Sequence, residues 1–256
     1  MHRVSQLVRL FREAYPSDSF FNEFEASLAV WPLMRKYYNA YERAFSVLDA
    51  VSWENLCEKA VRHAHETRHR QIKGPFFDQL NDAFAYKWLV SRGFRGVSIT
   101  PEPISPKKGQ KCPDIEFLHS GKQFYCDVKT IASSRAELDA RHVSKYRDSS
   151  RYLTLHPTLL KKLDDAVANG IEQIHAKGKN GLVFVIVNFD DFTMTYCKEH
   201  RVQIANHLRN HVSFPLIIQF GIDSRRRIEH AFNLSVREGA QPGAQSRSFW
   251  TLDSAR

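Results

Sequence analysis

The chain has 256 residues, 43% of them hydrophobic and 25% charged, the proportions of a folded globular protein rather than a disordered or fibrous one. No run of 18 apolar residues occurs, which argues against a transmembrane helix, and MHRVSQLVRLFREAYP breaks up its apolar residues with arginines, so no secretory signal is expected. Thirty-seven Lys and Arg against 28 Asp and Glu give a formal charge of +9, which favours a polyanionic partner.

In chain order, residues 1–72 are rich in strong helix formers and read as a helical N-terminal region. Within it, Trp53 to Gln71 is expected to form one helix behind an N-cap at Ser52. Lys73-Gly74-Pro75 breaks the pattern, and residues 73–256 are expected to form a second unit. Phe77, Leu80, Phe84 and Trp88 recur at helical spacing over about Phe76 to Arg92, with Gly93 where a left-handed cap belongs. The period then changes. Val97 to Thr100 reads as a short strand, and Asp114 to His119 and Gln123 to Ile131 read as two strands joined at Ser120-Gly121. A helix is expected from near Pro157, with Leu159, Leu163, Val167 and Ile174 on its apolar stripe. Gly181 opens LVFVIVNF, a strand buried on both faces. A further helix around Glu199 to Asn210 and a strand from Leu216 to Phe220 complete an α/β order. The four cysteines (Cys57, Cys112, Cys126, Cys197) include no CxxC pair, which points to a reducing, cytoplasmic setting.

The segment Pro113-Asp114-Ile115-Glu116-Phe117, followed by Tyr125-Cys126-Asp127-Val128-Lys129, carries the chemistry. Alternation on a strand projects Asp127 and Lys129 together as strand-surface groups, with Cys126 and Val128 turned to the core. The hairpin brings Asp114 near Asp127, and two converging carboxylates suit a hard, oxygen-preferring cation such as Mg²⁺. Such an ion lowers the pKa of a water and neutralises charge on a phosphodiester, while Lys129 is placed to assist the nucleophile or the developing charge. Glu116 shares the face of Asp114 and is a candidate extra ligand.

Pro113-Asp114, twelve residues, then Asp127-Val128-Lys129 resembles the PD-(D/E)XK nuclease superfamily over roughly Phe76 to Phe220. The resemblance implies a restriction-endonuclease-like core of helix, three-strand meander, helix and strand, here with a helical N-terminal extension. It implies a Mg²⁺-dependent nuclease, with Mn²⁺ able to substitute, hydrolysing nucleic acid and with DNA the expected substrate. Asp114 and Asp127 match the metal ligands and Lys129 the catalytic lysine. Asp82 matches the acidic residue on the preceding helix, with Asp78 as a weaker candidate, although the usual residue there is Glu.

Basic residues bracket the site in sequence: Lys107, Lys108 and Lys111 before it, and Lys145, Arg147, Arg151 and Lys161 after it. Tyr146 and Tyr152 interleave as candidate base-stacking groups. The rival readings are a non-cleaving nucleic-acid-binding module and, less favoured, a zinc peptidase on His65-Glu66-Thr67-Arg68-His69. Charged flanks, and Ile72 and Pro75 where an extended zinc motif needs glycine and histidine, argue against the second. The N-terminal helical region is a candidate surface for a homodimer or a protein partner.

Overall fold

The computed structural model describes residues 2–66, 73–103, 112–132, 153–188, 196–211, 214–221 and 227–230. Four helices come first: α1 (His2–Ala14), α2 (Phe24–Val30), α3 (Pro32–Phe45) and α4 (Ala50–Arg62). They are followed by α5 (Gly74–Leu80), α6 (Asp82–Ser91), β1 (Arg95–Ile99), β2 (Ile115–His119) and β3 (Lys122–Ile131). Then come α7 (Pro157–His175), β4 (Gly181–Val187), α8 (Cys197–His211), β5 (Leu216–Phe220) and β6 (Arg227–His230). The fold is mixed α/β. Among the described residues no helix is long and apolar enough to cross a membrane.

The strands form one sheet in the order β1-β2-β3-β4-β5-β6. The β1–β2 and β2–β3 pairs are antiparallel, β3–β4 and β4–β5 are parallel through the α7 and α8 crossovers, and β6 pairs antiparallel at the far edge. Ser120 and Gly121 both adopt positive φ, as a two-residue hairpin with the right-handed twist of its strands requires. β4 and β5 are buried at every position, because helices cover both faces of the sheet there.

Two cores follow from that layering. On one face, Ile115, Phe117, Cys126, Val128 and Phe184 pack in a single cluster with Phe11, Tyr41, Phe45, Leu56 and Phe84 of the helices before them. Residues of the N-terminal helices and of the sheet therefore share one apolar interior. On the other face, Val183, Val185 and Leu216 pack against Leu163, Val167 and Ile174 of α7 and Ile204 and Leu208 of α8.

Three local departures from the sequence reading have physical causes. α4 ends at Arg62, short of the expected Gln71, and begins earlier than expected, because Asp49 rather than Ser52 is the cap: its side chain accepts the Ser52 N–H at 2.7 Å. The Ser52 hydroxyl is used elsewhere, accepting from Ile99 N–H and tying α4 to β1. The expected helix from Phe76 to Arg92 is two helices meeting at Asn81, where bonding tightens to a three-residue turn between Asn81 O and Phe84 N–H. The buried Asn81 amide accepts from the Tyr41 hydroxyl and donates to Thr130 Oγ1, which pins the junction to β3. β6 was not expected, since its segment carries no strong strand pattern.

Gly170 marks a close approach of α7 to the sheet. A Cβ there would stand 2.9 Å from Asp127 Oδ2 and 3.0 Å from a Val183 methyl. Alanine is favoured over glycine inside a helix by about 1 kcal/mol, but overpacking costs about 1–3 kcal/mol. Gly170→Ala is therefore expected to destabilise, lowering the melting temperature by about 2–4 °C per kcal/mol lost. Calorimetry checks this, and a raised melting temperature would show that α7 has room to move.

Candidate functional site

Ile115 pairs with Cys126 across the hairpin, so Asp114, the residue before it, stands opposite Asp127. The Asp114 carbonyl accepts from Thr100 N–H at 2.8 Å, which holds the end of β2 against the end of β1. Beyond this point β3 runs on, paired to β4 through Ile131, with no further β2 residue beside it. The Asp114 carboxylate fills the missing rung: Oδ2 accepts from Val128 N–H at 2.8 Å. Oδ1 accepts from Lys59 Nζ at 2.5 Å, and the same ammonium donates to Asp82 Oδ2 at 2.9 Å.

Lys59 comes from α4 and Asp82 from the first position of α6, and both are buried. Asp127 is also buried, at 0% exposure. The sequence reading makes Asp127 a strand-surface carboxylate; alternation does put it on the face of Lys129, but α7 lies across that face and covers it. Lys129 Nζ lies 2.7 Å from Asp127 Oδ2 and donates to Gln173 Oε1 on α7 at 3.0 Å. Asp127 Oδ1 has no hydrogen-bond partner among the described residues. The site is thus three carboxylates and two ammonium groups drawn from three elements and the loop before β2.

Burial and mutual repulsion set their ionisation. Burial, with the charge of Asp114 added to it, pushes the Asp82 carboxyl up to about 8 despite Lys59. Burial and the charge of Asp114 likewise push Asp127 up to about 7 despite Lys129. Asp114 goes the other way: burial opposes ionisation, but Lys59 and Lys129 and its hydrogen bonds hold it below the usual carboxylate range. Burial disfavours the Lys59 ammonium, yet Asp114 and Asp82 outweigh it and keep Lys59 charged well beyond neutral pH.

A cleft of about 430 Å³ opens beside this cluster, with Asp127 buried behind its lining. Lys59, Asp82, Asp114, Lys129, Gln173 and Lys162 are among the groups that line it. Asp78 also lines it from α5, whereas Glu116 is exposed and does not. Pro103 and Cys112, on either side of residues 104–111, line the cleft as well. Lys161 is exposed on α7 and pairs with Asp165 one turn on. Lys107, Lys108, Lys111, Lys145, Arg147 and Arg151, with Tyr146 and Tyr152, lie outside the described residues.

The donor chemistry of the cluster, hard carboxylate oxygens with one buried and unpartnered, fits a small divalent cation. As the side chains stand, no three His, Cys, Asp or Glu groups among the described residues are arranged to hold a metal ion, because ammonium groups sit between the acids. At the competing histidine motif, α4 ends at Arg62, so His65 and Glu66 lie beyond the helix. His65 packs edge-on against Tyr15, Glu66 is hydrogen-bonded to His63 at 2.7 Å, and His69 lies outside the described residues. Compared with known proteins, the chain matches no family model, no curated protein and no solved structure.

Lys59 and Gln173 are the site residues that sequence reasoning missed. Lys59 had a readable signal: it lies on the α4 face of Ser52 and Leu56, both buried, at four- and three-residue spacing. Gln173 had a fainter one, three residues after the glycine on the apolar stripe of α7. Lys162, part of the basic stretch that follows the site in sequence, donates to the Ala132 carbonyl.

The Asp127 shift has a sign that can be tested. Its folded pKa, about 7, lies above the unfolded value near 3.9, so the folded state holds this proton more tightly. Its contribution is fully present below about pH 4 and is lost as pH rises to about 7. Asp127→Asn is therefore expected to gain stability relative to wild type across that window and to run parallel outside it. Urea unfolding of both proteins from pH 3.5 to 8.5 measures the gap; a gap independent of pH would overturn the assignment.

Proposed function

We propose that this chain is a metal-dependent nuclease that hydrolyses phosphodiester bonds in nucleic acid, with DNA the expected substrate. The observation that carries the reading is the convergence of Asp82, Asp114, Asp127 and Lys129 at one end of the sheet, beside an open cleft. The order α6, β1–β2–β3, α7, β4 supports a restriction-endonuclease-like core, with Pro113-Asp114 at the entry to β2 and Asp127-Val128-Lys129 within β3.

In this reading Asp114 and Asp127 hold Mg²⁺, for which Mn²⁺ can substitute. When bound, the cation supplies a water of lowered pKa and neutralises charge on the scissile phosphate. Asp114 is held ionised by its neighbours, which suits it as the permanent ligand. Asp127 must give up a proton to serve as the second, and its buried oxygen without a partner favours a cation once it is charged. Lys129, oriented by Gln173, faces the cleft and stabilises negative charge as it develops on the phosphoryl oxygens. Lys162 adds positive charge at the cleft wall for the substrate backbone.

The non-cleaving binding module keeps one observation in its favour, the absence of a ready-made three-ligand set among the described residues. Incubation with duplex, single-stranded and junction DNA and with RNA, in Mg²⁺, Mn²⁺ or EDTA, separates the two. Cleavage abolished by EDTA and by Asp127→Ala is the expected result; a mobility shift without cutting in every form would leave the binder.

A second test isolates the lysine. An ammonium cannot ligate a metal, so Lys129→Ala is expected to retain metal and nucleic-acid binding while losing about 10²-fold or more in single-turnover cleavage. Lys129→Arg should rescue poorly, since a planar fork does not replace a compact charge held by Gln173. Wild-type cutting by Lys129→Ala would reduce Lys129 to a counter-ion for Asp127.

A further inference from the structure

Lys59 is the unusual member of the cluster. It belongs to the helical layer rather than to the sheet, and its ammonium is held at once by Asp82 and Asp114. We propose that Lys59 stands in place of a second divalent cation, so that the site binds one metal ion, shared by Asp114 and Asp127. The inference rests on the metal-dependent reading above and fixes the stoichiometry of that same site.

Sites that use two metal ions hold them about 3.5–4 Å apart. A carboxylate between them can serve both ions. Asp114 has that position here, between Asp82 and Asp127, and the Asp82 side is already filled by an ammonium. Lys59 is only 8% exposed, and its neighbours Leu56 and Ala60 on α4 are fully buried, so its stem is fixed in the core. A cation entering between Asp82 and Asp114 would have to drive a charged group with a buried stem out of two ion pairs.

The charge balance points the same way. Even in its most negative state, with all five groups ionised, three carboxylates and two ammonium groups leave the cluster with one net negative charge. One divalent ion and one phosphodiester then bring the buried site to neutrality. A second divalent ion would leave two positive charges uncompensated beside a low-dielectric core.

The test counts ions. The full chain is titrated with Mn²⁺, bound ions being counted by electron paramagnetic resonance and affinity read by calorimetry. Wild type is expected to bind one Mn²⁺ per chain, weakened at least tenfold by Asp127→Asn. Lys59→Met is expected to bind two, and adding Asp82→Asn to it should restore one. Two ions on wild type, or one on Lys59→Met, would overturn the stand-in role while leaving the metal-dependent reading intact. No bound ion on any of them would overturn both.

A measurement on the unaltered protein covers the case in which Lys59→Met does not fold. The ¹⁵Nζ resonance of Lys59 in lysine-labelled protein is expected to keep its buried, exchange-protected character at Mg²⁺ saturation. Its loss or exposure on adding Mg²⁺ would show that the metal displaces the lysine, and the proposal would fail.

Discussion

Placing three carboxylates at the margin of an apolar core is the constraint on which the rest of this structure turns. Each buried charge left uncompensated costs several kcal/mol, and removing one partner of such a pair typically costs about 3–5 kcal/mol. The chain meets that cost with groups brought from every layer. α4 supplies Lys59, β3 supplies Lys129, and the backbone N–H of Val128 takes the remaining oxygen of Asp114. α7 then closes over Asp127, and only glycine at position 170 lets it come close enough. Stability and chemistry are set by the same few contacts.

The sheet explains why the cluster sits where it does. β3 has an antiparallel neighbour on one side and a parallel neighbour on the other, and β2 stops at Ile115 while β3 continues to Ile131. Among the described residues, the last residues of β3 therefore have no strand beside them on the β2 side. Asp114 caps that edge through its side chain, and Thr130 is held there by Asn81. A cleft forms at the place where the sheet loses one strand of its width.

Much of this was legible in the sequence. The apolar run of β4, the Ser120-Gly121 turn and the alternation of Cys126, Asp127, Val128 and Lys129 each follow from local rules that tertiary packing did not override. The pairing of Asp114 with Asp127 follows from the hairpin register. What escaped was whatever depends on long-range contact. The hydrogen bonds of Asn81 link residues 40 and 49 positions apart, and those rather than propensity divide α5 from α6. Lys59 meets Asp114 across 55 residues of chain, so no window of sequence contains the pair. The burial of Asp127 depends on a helix that begins thirty residues later, whose glycine reads in isolation as a weak point rather than a close approach.

The bridge from Lys59 to Asp82 and Asp114 also bears on how separable the parts of this chain are. A fragment starting at residue 73 would keep the sheet, α7 and the whole Asp114–Lys129 segment. It would nevertheless leave Asp82 and Asp114 without the ammonium that bridges them. It would also bare the side of the sheet on which Ile115, Phe117 and Phe184 pack with Leu56 and Phe45. The chemistry-bearing half is therefore not portable. Any recombination that passed it to another protein would have to carry α4 along, or replace at once the charge and the apolar cover that the helix provides.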